Sequence, residues 1–326
     1  MITILGTGRA LPARQVTSDA FDARIGKPAG YLAQATGVAA RYVSGDESQI
    51  DLAQSAAQAA LDDAGLTATD IDLILFGAAV PYQPIPATAP LLMQRLGLAD
   101  GTAAAFDMNA TCLSFLTALD TAARMIATGQ ATRPLVVSAE IASRALPWDT
   151  QPEVAALFGD GAAAAVVSGS EAGGMVASLM RTYPSAYDAC ALGAGGTRFD
   201  YHNDPDSFAA HAWFAMDGKE LFRLAARHFG TFVDDLLARA GWAREDVDLV
   251  IPHQASPAAL AHMIRQTGFA RDRVVDIIAG HGNQIAASIP FVLDTARRAG
   301  RMPPGTRTLF LGTSAGVSFG GMAYVA

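Results

Sequence analysis

Short β-branched or apolar runs alternate along this chain with alanine-rich stretches of helical character, the pattern of an α/β fold. Strands are predicted at the start, Met1–Gly6, and over Ile71–Phe76, Ala103–Met108, Leu135–Ser138, Ala162–Val167, Val247–Ile251, Val274–Ile278, Thr308–Leu311 and Met322–Val325. Helices are predicted over Leu52–Ala64, Thr88–Leu96, Cys112–Thr128, Gly218–Ala240, Pro257–Thr267 and Ser288–Ala299. The longest uncharged stretch, Leu73 to Gln94, is broken by Pro81, Pro84, Pro86 and Pro90, so it is not read as a membrane span.

The pattern occurs twice. Ala64-Gly65 followed by Asp70-Ile71-Asp72-Leu73 matches Ala240-Gly241 followed by Asp246-Val247-Asp248-Leu249, an offset of 240 − 64 = 176. Leu119-Asp120-Thr121-Ala122 matches Leu293-Asp294-Thr295-Ala296 at 174, and Leu135-Val136-Val137 precedes Leu309-Phe310-Leu311 by 174. Three ordered matches at a nearly constant offset divide the chain into related α/β halves, residues 1–170 and 171–326, joined near Gly169–Gly174.

Composition narrows the class. Of 326 residues 51% are hydrophobic and 17% charged, which excludes a disordered chain. A net charge of −8 argues against nucleic-acid binding. Two cysteines, Cys112 and Cys190, are too few for a disulfide scaffold and fit a reducing compartment. The start has no basic n-region, so a cytoplasmic location without membrane attachment is expected.

Three polar residues fall on loops at strand ends, where α/β sheets gather ligands. Cys112 is expected to open a helix, where partial positive charge and free amides favour the thiolate. His253 follows a strand closed by Pro252, and Asn283 lies in Gly280-His281-Gly282-Asn283. A thiolate accepts an acyl group, while a neutral imidazole and an amide donate to a carbonyl oxygen gaining charge. Papain-like peptidases also carry Cys, His and Asn in this order, but their signature around the cysteine is absent and a repeated α/β chain is the wrong architecture. No histidine pair or Cys-x-x-Cys has zinc spacing, so no metal is expected. Gly6-Thr7-Gly8 has Leu11 where a dinucleotide fingerprint has its third glycine, so no nicotinamide cofactor is implied. Phe158-Gly159-Asp160-Gly161 is most simply a tight turn into a strand, and Cys190 reads as a packing residue.

Four ordered segments, Asp107-Met-Asn-Ala-Thr-Cys112-Leu-Ser-Phe, Phe158-Gly-Asp-Gly-Ala, Ile251-Pro-His253-Gln-Ala-Ser and His281-Gly-Asn283-Gln-Ile-Ala-Ala-Ser-Ile-Pro, resemble the active-site motifs of 3-oxoacyl-[acyl-carrier-protein] synthase III, of the thiolase superfamily. The resemblance implies a thiolase-like fold of two duplicated halves in five αβαβα layers. It implies catalytic Cys112, His253 and Asn283, with the backbone amides of Cys112 and Ala315 as oxyanion hole. Cys112 would take an acyl group from acyl-CoA or another acyl thioester. Malonyl-acyl carrier protein would lose carbon dioxide against His253 and Asn283, and its carbanion would attack the acyl group. No cofactor is implied beyond the substrates' own thioester carriers.

The resemblance further implies substrate contacts at Tyr31, Ile85, Phe222 and Thr313, carrier-protein docking at Arg223 and Arg265, and a homodimer whose loop Tyr82–Pro86 walls the partner's acyl pocket. Several positions depart from the family pattern. Tyr31 and Pro152 stand where a Trp and an Arg usually clamp adenine; Thr313 replaces a Phe; Ala315 replaces a glycine; Ala258 replaces a basic residue; and Ile85 replaces a bulkier Phe, which suggests a primer longer than acetyl. The alternative reaction is acyl transfer to an alcohol or amine without condensation.

Overall fold

Side chains at successive strand positions point to opposite faces, and in this chain both faces are apolar. In the computed structural model, which describes residues 2–326, strand alternation therefore feeds three cores rather than one. From the strand Leu73–Gly77, Leu73 and Leu75 enter a core shared with Phe115, Leu116 and Leu119, while Ile74 and Phe76 enter another shared with Ile50, Leu61 and Leu92. In the second half Ile251, Phe310 and Met322 join the first of these cores, whereas Val250, Leu309, Leu311 and Ala323 join a third with Phe232 and Leu236. Sheets covered on both faces and sharing a central helical layer give the five layers of a thiolase-like fold.

The first sheet comprises β1 (Ile2–Ala10), β2 (Leu73–Gly77), β3 (Ala104–Met108), β4 (Pro134–Glu140) and β5 (Gly161–Gly169), in the order β1-β5-β4-β2-β3. The second comprises β6 (Gly174–Thr182), β7 (Leu249–Pro252), β8 (Arg307–Ser314) and β9 (Ser318–Val325), in the order β6-β9-β8-β7. The β2–β4, β2–β3 and β7–β8 pairs are parallel and the others antiparallel. Helices α1 (Gln49–Ala64) and α2 (Thr88–Arg95) cover the first sheet. Helices α3 (Ser114–Ala127) and α6 (Ser288–Arg298) fill the layer between the sheets, and α4 (Gly218–Ala240) and α5 (Pro257–Thr267) cover the second.

Local chemistry sets the boundaries. Helix α1 begins at Gln49, before the expected Leu52, because Ser48 and Asp51 form a capping box; it ends at Gly65, whose φ of 66° suits a residue without Cβ. Gly6 and Gly8 let α1 lie on β1: a Cβ at Gly6 would stand 2.5 Å from Ala60 O and one at Gly8 2.4 Å from Ala56 O. Packing thus accounts for these glycines.

Two expectations are corrected. Val274–Ile278 is no strand: only Val274 bridges to Val250, and the Asp276 carboxylate accepts from Ile278 N–H and starts a helical turn, Ile278–His281. The second half thereby lacks a counterpart of β3. Strand β6, absent from the predicted strands, begins at the end of the Gly169–Gly174 joint and is an edge strand with Val176 and Met180 exposed.

Candidate active site

A repeated turn builds the site. Asn109 Oδ1 accepts from Thr111 N–H at 2.9 Å and Asn283 Oδ1 from Ile285 N–H at 2.8 Å. Asn109 Nδ2 donates to Ala79 O at 3.0 Å and Asn283 Nδ2 to Ala255 O at 3.3 Å. Thr111 has φ 54° and Ile285 φ 50°, left-handed values that non-glycine residues rarely adopt. Each turn continues as a single 3-10 turn, Thr111–Leu113 or Ile285–Ala287, before α3 at Ser114 or α6 at Ser288. The offset is 174 throughout (283 − 109, 285 − 111, 288 − 114), so Cys112 corresponds to Ala286.

Cys112 therefore sits within the tight turn before the helix, not at the first residue of α3. It is half-buried. Burial pushes its thiol up, and nearby Cys190 and the Glu140 carboxyl push the same way; the backbone N–H groups of Ala315 and of Cys112 itself face the sulfur and pull it down. The expected depression of the thiol's pKa is thus reversed, because loss of water outweighs two amides. These two amides are the ones expected to form an oxyanion hole.

Strand β8 connects this turn to the second half. His253 N–H donates to Leu311 O at 2.7 Å, and a Cβ on Gly312 would stand 2.8 Å from Leu113 Cδ2 and 3.2 Å from His253 Cβ. The strand thus runs between the Cys112 turn and the histidine, and Ala315 just beyond it reaches the sulfur. His253 is 7% exposed, its Nδ1 has no hydrogen-bond partner among the described residues, and burial pushes its pKa down to about 4. A neutral ring follows. Behind it Gln254 is fully used: its N–H donates to Ser288 Oγ at 2.8 Å, and its side chain donates to Val275 O and accepts from Ile277 N–H, both at 3.1 Å.

Asn283 is clamped by the segment read as a simple turn. Asn283 N–H donates to Leu157 O at 2.7 Å and Gly159 N–H to Asn283 O at 3.1 Å. A Cβ on Gly159 would meet His281 O at 2.2 Å, so only glycine permits this approach. Buried Asp160 accepts from Ser44 N–H, Ser143 N–H and Ser143 Oγ–H at 2.7, 2.9 and 2.6 Å and locks the turn. With one amide hydrogen on Ala255, the Asn283 side chain keeps a second for a ligand.

The outlying positions are less converged. Tyr31 donates to Glu153 beside Pro152, and Lys27 Nζ lies 5.1 Å from its ring centroid, so a cation already covers one ring face. Ile85 is 87% exposed and cannot line a pocket of its own chain. Phe222 is exposed with its ring 4.0 Å from that of His262, and Thr313 pairs with Phe319 across β8 and β9. Arg223 pairs with Glu220 at 3.0 Å, while Arg265 is exposed beside His262. Among the described residues no group of three or more His, Cys, Asp or Glu side chains could hold a metal.

Sequence reasoning passed over Asn109, Glu140, Ser114, Ser288 and Lys27, and it set Cys190 aside although that thiol lies close enough to raise Cys112. The 174-residue offset, carried from Asn283, would have found Asn109, and it pairs the two missed serines, Ser114 and Ser288, with each other.

Known proteins resemble this chain in sequence and fold. Two family descriptions match: 3-oxoacyl-[acyl-carrier-protein (ACP)] synthase III over residues 106–184, and its C-terminal part over 237–325. The chain is 34% identical over 323 residues to beta-ketoacyl-[acyl-carrier-protein] synthase III of Neisseria meningitidis, covering 97% of each. It is 38% identical over 325 residues to beta-ketoacyl-[acyl-carrier-protein] synthase III 3 of Streptomyces coelicolor, covering 98% of this chain and 96% of that one. The crystal structure of 3-oxoacyl-[acyl-carrier-protein] synthase III from Aquifex aeolicus superposes with a TM-score of 0.89 at 30% identity, covering 100% of both chains.

Proposed function

The chain belongs to the 3-oxoacyl-[acyl-carrier-protein] synthase III family, and on that premise we propose that it joins an acyl primer to malonyl-acyl carrier protein with loss of carbon dioxide. The observation that carries this reading is the end of β8, where Gly312 packs against both Leu113 of the Cys112 turn and His253, and the amides of Ala315 and Cys112 face the sulfur. Cys112 Sγ attacks the thioester carbon of the primer. The Ala315 and Cys112 N–H groups hold the oxyanion, and the primer's thiol leaves with the sulfur's proton. Malonyl thioester then binds with its thioester oxygen on His253 and Asn283. As carbon dioxide departs, the electron pair of the broken bond becomes an enolate held by the two donors. Its carbon attacks the acyl carbonyl, releasing Cys112 and a 3-oxoacyl thioester. These steps draw on no cofactor.

Two halves, 1–170 and 171–326, divide the work, the first supplying the nucleophile and the second the donors. Tyr31, Phe222 and Thr313 contact the primer carrier, and exposed Arg223 and Arg265 dock an acidic carrier protein. Strand β3 is an open sheet edge with Phe106 38% exposed, and Ile85 projects nearby at 87%. An apolar open edge invites pairing with another copy, so the working form is a homodimer, with Ile85 walling the partner's pocket. We assign it to the cytoplasm; among the described residues no helix is long and apolar enough to cross a membrane.

Intact-mass spectrometry with acyl-CoAs, followed by carbon dioxide release from malonyl-acyl carrier protein, tests the reaction. One acyl adduct that vanishes in Cys112→Ala, with carbon dioxide released, is expected. An adduct without carbon dioxide would shift the assignment to simple acyl transfer, and an adduct persisting in Cys112→Ala would overturn it.

A further inference from the structure

The fold's pseudo-symmetry produces two places of the oxyanion-hole kind, and one of them is already filled. At the first, the end of β8 packs against Thr111–Leu113, and the amides of Ala315 and Cys112 face the sulfur. At the second, the end of β4 packs against Ile285–Ala287. There the last residue of β4, Glu140, occupies the register of Ser314 in β8 (140 + 174 = 314). Its carboxylate is 1% exposed and accepts from Ala79 N–H at 2.6 Å, and the amides of Val80 and Ala286 face it as well. Ala286 is the counterpart of Cys112. The amide that would hold a substrate oxyanion in one half is turned, in the other, toward an anion supplied by the chain itself.

We propose that Glu140 is a positioning residue whose carboxylate stands where an oxyanion would sit in the second half, tying the turn that carries Asn283 to the Ala79–Val80 segment. Burial pushes this carboxyl up to about 8. Its three backbone partners, however, are all donors, so a proton on it has no acceptor among them and the carboxylate is the form the cage fits. The tie reaches both sides of the reaction. Ala286 lies three residues from Asn283, and Ala79 O accepts from Asn109 in the turn of Cys112. Val80 leads into the Tyr82–Pro86 loop. Asn283 is held on one side by Gly159 and Leu157, so the Ala286 side is where Glu140 acts.

The inference rests on the condensation reading only for its kinetic consequence. Glu140→Ala leaves an amide-lined cavity of carboxylate size, and formate is the probe. Formate is expected to raise the melting midpoint of Glu140→Ala and not of the wild type, while neutral formamide raises neither. Carbon dioxide release by Glu140→Ala should fall by at least ~10²-fold, on the scale of losing an oxyanion donor, with Cys112 acylation within about fivefold and formate restoring release at least about tenfold. Glu140→Gln keeps the size without the charge and covers the case where Glu140→Ala does not fold. It should lose carbon dioxide release by at least about tenfold, while alkylation of Cys112 by iodoacetamide shifts to lower pH, because an anion near the sulfur has gone. No formate effect on a folded Glu140→Ala, or a Glu140→Gln with unchanged alkylation profile and release, overturns the proposal. If the wild type takes an acyl group but releases no carbon dioxide, the condensation reading fails, and the formate and alkylation results still decide the role of Glu140.

Discussion

The Asn109–Ser114 and Asn283–Ser288 turns share side-chain hydrogen bonds and left-handed φ values, yet carry different chemistry. The first holds Cys112 where the second holds Ala286. The strand preceding the first, β2, ends in Gly77, where any Cβ would stand 2.9 Å from the Ser114 backbone; the strand preceding the second, β7, is followed by His253. Asn109 and Asn283 make the same two backbone contacts, and on the proposed reading only the spare hydrogen of Asn283 serves the malonyl carbonyl. Duplication supplied one strained frame twice, and on the proposed reading a few side chains divide nucleophile from donors. Neither half is complete alone.

The sharpest break in that division is to exchange the two turn residues. Cys112→Ala should abolish the acyl adduct, a loss of at least about 10³-fold. Adding Ala286→Cys to it should not restore the adduct, because Glu140 faces the amide that the new acyl oxygen would need. An adduct at the new cysteine, read by intact mass, would show the two turns to be interchangeable.

Next in size is the contrast between the asparagines. Asn283→Asp places a carboxylate where an enolate develops, so carbon dioxide release should fall by at least ~10²-fold while acylation stays near normal. Asn109→Asp keeps the Oδ1 acceptor for Thr111 and loses the donor to Ala79 O, a neutral hydrogen bond worth about 1 kcal/mol, so both steps should hold within about fivefold. Equal damage from both variants would mean that the asparagines serve only the backbone.

Much of this architecture was legible in the sequence. The repeat at 174–176 was visible because the central strands and helices are buried on all sides and keep their apolar patterns. Strand β6 was missed although its sequence is apolar, because its Val176 and Met180 are exposed and leave no alternation of buried and polar positions to read, and Val274–Ile278 was misread because an apolar run does not reveal that Asp276 caps a turn within it. Cys112, His253 and Asn283 were singled out by motif. The electrostatics around them was not, since desolvation of the Cys112 thiol and the approach of Glu140 depend on which strand ends meet. The role of Gly159 was likewise invisible, because the atom it avoids lies 122 residues away, at His281 (281 − 159 = 122).

Primer choice sharpens the comparison at the loop leaving β2. Ile85 is smaller than Phe, and each additional buried methylene contributes roughly 0.8 kcal/mol, about a factor of four. Primers of four to eight carbons should therefore outcompete acetyl-CoA by about one to two orders of magnitude, and Ile85→Phe should cut that preference. Adduct masses from mixed acetyl-, butyryl-, hexanoyl- and octanoyl-CoA provide the measurement. Acetyl winning, with Ile85→Phe without effect, would place the pocket floor elsewhere.

The smallest expected effect isolates His253, which has a glycine for its counterpart in the first half. Burial lowers its pKa from 6.5 to about 4 on folding. Between these values the unfolded chain binds a proton that the folded one refuses, so stability from this group falls as the pH falls through the window. Glu140, whose carboxyl is pushed up by burial while the facing backbone amides favour the carboxylate, adds a pH dependence of its own. A wild-type profile alone would therefore mix the two. Comparison with His253→Gln removes the shared contribution. From pH 7 to pH 5 the wild type should lose roughly 2 kcal/mol more than the variant, about 4 °C in melting midpoint. Parallel profiles would show that folding leaves the proton affinity of His253 unchanged, so that the ring charges as the pH falls through about 6.5 rather than being held neutral by burial.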